Sequence, residues 1–229
     1  DLYSPEMDYC VPPGDPDFQQ YFDKANALLS QRQLPPFQQS DLDCQTKQLM
    51  ALVDLFHAYG IAVIFDVVYN HAGGDFGDEG IYFLDRQPTG DNNRSLYFTD
   101  QGWAGGLIFA YWQREVCQFL IDNAGFFLDE YHVDGFRFDE VTVIDRSGGW
   151  NFLQNLTDTL RYKKPQAIQI AEYWADQRSI VRARSNSGAG FDSAVAAGLR
   201  QSIRGVIQQA SGGKNAFVDL NPVANDLSP

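Results

Sequence analysis

The 229 residues, 44% hydrophobic and 14% aromatic, suffice for a packed core in one or two domains. A formal charge of −13 argues against nucleic acid, which needs a basic surface, and against an anionic membrane. No apolar run reaches membrane-spanning length and no signal peptide opens the chain, so a cytoplasmic protein is expected. A neutral polyol substrate is compatible with the charge but is not selected by it.

Residues 9–45, rich in Pro, Gln and Asp, predict a loop with one short helix near 17–30. Leu49, Leu52, Val53 and Phe56 recur at helical spacing over 46–59, and Gly60 stops that helix. Ile61–Val68 is a nearly continuous apolar run, the pattern of a strand covered on both faces. Residues 72–110 have no period and many aromatics, among them Tyr82, Phe83, Tyr97, Phe98 and Trp103, as in a short functional excursion. Helices are predicted over 111–130, 150–161 and 199–210, and strands over 132–139, 167–172 and, very briefly, 191–194. The chain stops at Pro229 with no closing helix expected. Cys10, Cys44 and Cys117 imply no disulfide framework, and Cys117 reads as a buried, inert thiol.

Three of these strands carry acids: Asp66 in the first, Asp139 and Glu140 ending the second, Glu172 ending the third. An unpartnered buried carboxylate is strongly unfavourable, so three in series imply strands delivering acids to one rim. The expected fold is α/β, a partial (β/α)8 barrel of roughly the third to sixth strands, with residues 1–229 forming one incomplete barrel domain. A doubly wound sheet gives the same coarse element order, and the acids favour the barrel. Side chains alternate, so Gly135, Arg137 and Asp139 share one face while Phe136 and Phe138 face helices. Arg137 beside Asp139 would hold that carboxylate ionised, which suits a nucleophile. Glu172, followed by Tyr173 and Trp174, lies near aromatic surface that raises a carboxyl pKa, which suits a general acid. The two carboxyls are expected about 5–6 Å apart. Asp66 is expected to be buried against Arg137 on the next strand, so that losing Arg137 would cost about 3–5 kcal/mol. Asn70 and His71 leave the strand at the rim, where they would meet substrate hydroxyls or a metal.

Asp66-Val-Val-Tyr-Asn70-His71, Gly135-Phe-Arg137-Phe-Asp139 and Ala171-Glu172 resemble the first three of four short motifs of the α-amylase family of glycoside hydrolases and transglycosylases. The resemblance runs over nearly the whole chain. It implies a site at the carboxyl rim of a barrel, an α-glucan or oligosaccharide substrate, Asp139 as nucleophile, Glu172 as acid/base, Arg137 as orienter and His71 as a sugar contact. Asp66, Asn70, Tyr173 and Trp174 complete the expected substrate-binding set. The stretch from Phe109 to Thr142 is most similar to α-1,4-glucan branching enzymes, with trehalose-forming relatives sharing part of it. Glu172-Tyr173-Trp174 departs from the branching-enzyme pattern.

The family's fourth motif, a His-Asp pair, does not follow Glu172, since His occurs only at 57, 71 and 132. The chain therefore reads as part of a longer barrel, inactive by itself unless Asp192 or Asp219 stands in. A non-catalytic glucan-binding barrel is the alternative of another class. No cofactor or metal is expected to be required. Calcium is a secondary option, because Asn70 resembles a calcium-ligand position and Asp75, Asp78, Asp85 and Asp91 lie nearby without the spacing of a calcium loop.

Overall fold

A computed structural model describes residues 2–72, 95–175 and 177–227. Asp75, Asp78, Asp85 and Asp91, Tyr82 and Phe83 lie outside the described residues. Four short parallel strands, β1 (Ile64–Val67), β5 (Gly135–Phe138), β6 (Ile168–Ala171) and β7 (Ser193–Ala194), pair in that order. Between β1 and β5 come β2 (His71–Ala72), β3 (Phe98–Trp103) and β4 (Gly106–Phe109), which form a separate antiparallel sheet ordered β2-β4-β3. The described part of the excursion is thus a hairpin added to the residues that follow β1. The sequence does not predict it, because its strands lack alternation and its register is interrupted between Phe98 and Gly102.

Strand order equals chain order across the parallel sheet. A doubly wound sheet would reverse direction at a switch point; none occurs among the described strands. The fold is therefore α/β, an arc of a (β/α)8 barrel, with four parallel strands as the sequence predicts. Helices α1 (Phe18–Gln31), α2 (Gln45–Ala58), α3 (Arg114–Glu130), α4 (Val141–Arg146), α5 (Trp150–Lys163), α6 (Gln177–Val181), α7 (Ala197–Ala210) and α8 (Asn221–Leu227) complete the described chain. The expectation of no closing helix is wrong: α8 forms and lies against α7, where the Ser202 hydroxyl bonds Asp226. It has no buried residue, so the sequence carries no apolar stripe to announce it.

Alternation along the strands separates two environments. Phe136, Phe138, Gln169 and Ala171 are fully buried on the helix side. Phe138 meets Phe191 edge-on at 5.6 Å, and Val116, Leu120, Leu153, Leu156 and Leu160 of α3 and α5 close that layer. Each such side chain contributes about 1.5–3 kcal/mol by leaving water. The opposite face, which holds Ile64, Asp66, Arg137 and Ile168, is open: Ile64 and Ile168 are 38% and 42% exposed. The expectation that the first strand is covered on both faces therefore fails. β1 is an edge of the described sheet, and only its outward face meets helices.

The amino end of the sheet is tied by Asp134, which the sequence reading passed over. Its carboxylate accepts from the Val63 N–H at 2.8 Å and Lys164 Nζ at 3.1 Å, and contacts His57 Nε2 at 2.7 Å. Burial opposes the charged form, but these bonds outweigh it and hold the Asp134 carboxyl below its ordinary range. The folded state then binds fewer protons than the unfolded one. Its stabilisation is complete above about pH 4 and is lost as pH falls through the depressed value. Asp134→Asn is expected to melt lower than the parent at pH 7 and to lose less on acidification. Thermal melts from pH 7 to pH 3 check this, and parallel acid curves for the two proteins would rule it out.

Candidate active site

At the carboxyl end of the same strands, one guanidinium gathers three acids. Parallel pairing sets Asp66 beside Arg137 and Arg137 beside Ile170, which brings Glu172, two residues on, to the same rim. Arg137 Nη1 lies 2.8 Å from Asp66 Oδ1 and 2.7 Å from Asp139 Oδ1. Its Nη2 lies 2.8 Å from Glu172 Oε2. The main chain fixes this end: Asp139 N–H donates to Val67 O, Glu172 N–H to Phe138 O and Val141 N–H to Glu172 O, at 2.9–3.0 Å.

Asp139 has donors on both oxygens. Arg137 holds Oδ1, and Asn70 Nδ2 donates to Oδ2 at 3.0 Å and to the Asp139 carbonyl at 2.8 Å. Burial works against the ionised form, yet these bonds and the Arg137 charge win, and the Asp139 carboxyl titrates below its ordinary value. The carboxylate is ionised, oriented and still 27% exposed, the condition of a nucleophile.

Asn70 does not stand exposed at the rim. It is fully buried, its carbonyl held by the Tyr111 hydroxyl at 3.1 Å and its side chain divided between Asp139 and His71. That corrects its expected exposed place at the rim and makes it a support for Asp139. Because Asn70 Nδ2 donates to Asp139, its Oδ1 accepts from His71 Nδ1–H. Burial lowers the His71 pKa against the pull of Asp139, so the ring is neutral at pH 7.

Asp66 meets Arg137 as predicted, but its side chain is 63% exposed rather than buried. The register is right and the energetic expectation is not, since an exposed pair contributes about 0–1 kcal/mol. Arg137→Ala is now expected to lower stability by about 1–2 kcal/mol, mostly through Asp139 and Glu172 left facing each other. A denaturant titration giving a loss above 3 kcal/mol would restore the buried-pair account.

Tyr173 is also corrected. It is buried, with its hydroxyl on Asp145 at 2.7 Å, so its ring packs in the core instead of facing a sugar. Trp174 is 38% exposed, with its N–H on Thr142 Oγ1 at 2.8 Å. Asp192 cannot stand in for a third rim acid. It precedes β7 at the amino end, held by Arg161 and the Gln169 N–H. Sequence reasoning also missed Glu140, whose N–H donates to Glu172 Oε2 at 3.0 Å. Its burial, then the charges of Glu172 and Asp139, push its carboxyl above the ordinary range. The signal was present as a second acid directly after Asp139, but adjacency along a strand end does not tell where a side chain turns.

No group of three or more His, Cys, Asp or Glu able to hold a metal occurs among the described residues. An apolar cavity of about 810 Å³ lies elsewhere, between α1 and α2, lined by Phe18, Phe22 and Leu52 among others. It adjoins none of the rim acids. No described helix is long and apolar enough to cross a membrane.

Carboxylates at the carboxyl ends of successive parallel strands, with helices outside, place the candidate site where (β/α)8 barrels carry theirs. Solved α-amylases share the fold: the enzyme of Geobacillus thermoleovorans superposes with a TM-score of 0.60 over 81% of this chain and 41% of its own, at 22% identity. An Anoxybacillus α-amylase gives 0.58 over 80% of this chain and 39% of its own, at 19% identity. In sequence the chain resembles 1,4-α-glucan branching enzymes. It is 31% identical to the one from Dictyostelium discoideum over 177 residues, covering 67% of this chain and 25% of that protein. The match to the Streptomyces avermitilis branching enzyme is 31% over 160 residues, covering 61% and 19%. A malto-oligosyltrehalose trehalohydrolase of Saccharolobus solfataricus is 32% identical over 148 residues, covering 62% and 24%. No family model matches the chain. The chain spans about a quarter or less of these curated relatives.

Proposed function

We propose that the protein carrying this chain is a retaining α-glucan-active enzyme, and that it acts as an α-1,4-glucan branching glycosyltransferase. One observation carries the reading: a single guanidinium bridges Asp139 and Glu172 at the ends of neighbouring strands. That bridge fits the short carboxyl spacing of about 5–5.5 Å used in retaining chemistry. Asp139, ionised, attacks the anomeric carbon while Glu172 gives its proton to the departing glycosidic oxygen. The carbon–oxygen bond breaks as the Asp139 ester forms. Glu172, now a carboxylate, takes the proton of the acceptor hydroxyl, and the acceptor displaces Asp139. Neutral His71 contacts the sugar at the cleavage point, and Trp174 offers a face to a neighbouring ring. These steps run on carboxylates, with no required cofactor. A cytoplasmic setting fits the free thiols of Cys10, Cys44 and Cys117.

In a branching enzyme the acceptor is a 6-hydroxyl, as the Dictyostelium and Streptomyces relatives favour. Amylose treated with the full-length protein should lose iodine colour without a matching rise in reducing ends. A matching rise would mean hydrolysis. Release of trehalose from an oligosaccharide ending in a trehalose unit would support the second reading, favoured by the trehalohydrolase relative.

A further inference from the structure

Tyr173 and Trp174, the two residues after Glu172, belong to no helix or strand, so no ladder sets them. Their places come from contacts to α4, the helix that follows β5. The Val141 N–H donates to Glu172 O at 2.9 Å, the Tyr173 hydroxyl donates to Asp145 Oδ2 at 2.7 Å, and the Trp174 N–H donates to Thr142 Oγ1 at 2.8 Å. α4 is itself anchored, with Val141, Thr142, Val143 and Ile144 all buried. Thr142 is the polar residue in that apolar run and is 3% exposed, where a hydroxyl is costly unless it is bonded. Its bond goes to Trp174. Tyr173 is buried and Trp174 is 38% exposed, so the two side chains part at this point. α4 holds the inward one by Asp145 and the outward one by Thr142.

We infer that Thr142 and Asp145 are positioning residues, which set the Trp174 ring beside Glu172 as a specificity element for the sugar next to the cleaved bond. The inference rests on the reading, given above, of Trp174 as a face for a neighbouring sugar ring. Glu172 does not depend on these two side chains. Its carboxylate is held by Arg137 Nη2 at 2.8 Å and by the Glu140 N–H at 3.0 Å, and its main chain by Phe138 O and the Val141 N–H. Removing the Thr142 hydroxyl leaves the Trp174 N–H without that acceptor, and the chain at 174 gains freedom while the proton donor keeps its contacts. The bond from Tyr173 to Asp145 acts in the same direction, because an anchored inward residue fixes the way its outward neighbour leaves the main chain. The two side chains therefore act on how the sugar is bound and not on the chemical step. Such a role raises KM and spares kcat.

The test uses the full-length protein with maltoheptaose. Thr142→Val keeps the branched shape and removes the acceptor. Its KM is expected to rise about three- to tenfold, the worth of one hydrogen bond, with kcat within about twofold of the parent. Thr142→Ser, which restores the hydroxyl, should return KM to within about twofold. Trp174→Ala should raise KM at least as far, and Thr142→Val added to it should raise KM less than about twofold more, because the two changes act through one ring. A merely structural threonine would lower the melting temperature and leave KM alone, or would raise KM equally with and without the indole. Either result overturns the inference. Circular dichroism establishes folding. If Thr142→Val misfolds, Tyr173→Phe, which removes only the hydroxyl on Asp145, takes its place in the same cycle with the same expected direction, and decides. The levels separate cleanly. If Trp174→Ala raises KM while Thr142→Val and Tyr173→Phe match the parent, this inference alone falls. If Trp174→Ala also matches the parent, the sugar contact of Trp174 falls and takes this inference with it. If the parent itself does not act on maltoheptaose, the α-glucan reading fails as well.

Discussion

Replacing Asp139 by Asn in the full-length protein is expected to lower turnover of amylose by about 10⁴-fold or more, because the covalent step loses the carboxylate that Arg137 and Asn70 hold ionised and oriented. Asn preserves volume and a hydrogen-bonding head, so the Arg137 and Asn70 contacts need only a local adjustment. Glu172→Gln is expected to cost about 10²–10⁴-fold on natural glucans, the usual worth of a positioned proton donor. The two variants should then diverge on an α-glucosyl fluoride, whose leaving group needs no proton. With that donor Glu172→Gln should form the glycosyl-enzyme and stall, since no base activates the acceptor. Mass spectrometry should find the added sugar on Asp139. Asp139→Asn should carry none. A sugar found on Glu172 or Glu140, or an Asp139→Asn protein within tenfold of the parent, would sink the assignment. The same donor also tests stereochemistry at the reacting carbon, because a retaining enzyme returns the α-anomer through two inversions.

Gly135→Ala should be among the most damaging single-methyl changes in the described chain. Gly135 pairs with Ile168 in the β5–β6 ladder, and a Cβ built there would fall 2.0 Å from the Ile168 carbonyl oxygen and 2.7 Å from its nitrogen. Both are main-chain atoms inside a strand, so no flexible side chain can give way. The ladder itself must open, and that ladder sets Arg137 and Asp139 against Glu172. A loss of about 3 kcal/mol is expected by denaturant titration, at the upper end of overpacking costs. Activity should fall by more than the unfolded fraction explains, because the guanidinium bridge loses its register. Gly205→Ala is the control: it sits within α7 with open space around the added Cβ, and should be neutral or slightly stabilising. A Gly135→Ala protein as stable as the parent would mean that the β5–β6 pairing is not as described.

Both predictions rest on features visible to different degrees in the chain itself. The alternation Gly135-Phe-Arg137-Phe-Asp139 fixed which side chains share a face, because a strand has a strict period of two and phenylalanine and arginine have opposite needs. The acids at the strand ends fixed a rim, because isolated carboxylates are not buried without partners. Helices such as 114–130 and 150–163 were legible within a few residues, because their apolar spacing must match the helical turn to cover a sheet. The β3–β4 hairpin and α8 were not legible, because one has an interrupted register and the other buries nothing.

What the sequence by itself determined is therefore the set of acids, their order along the chain and the face each strand gives them. Only the tertiary structure decided how each is held. Asn70 and Tyr173 share motifs with exposed rim residues, yet the Tyr111 clamp and the Asp145 bond draw them into the core. Asp66 meets its predicted partner, but exposure at the open face makes their bond weak. Glu140 follows Asp139 in the sequence, and its left-handed backbone turns its N–H to Glu172 on the next strand. The physical reason is common to all four. Alternation gives the direction of a side chain, while burial and charge depend on which neighbouring strand or helix closes over it, and that contact lies dozens of residues away in the chain.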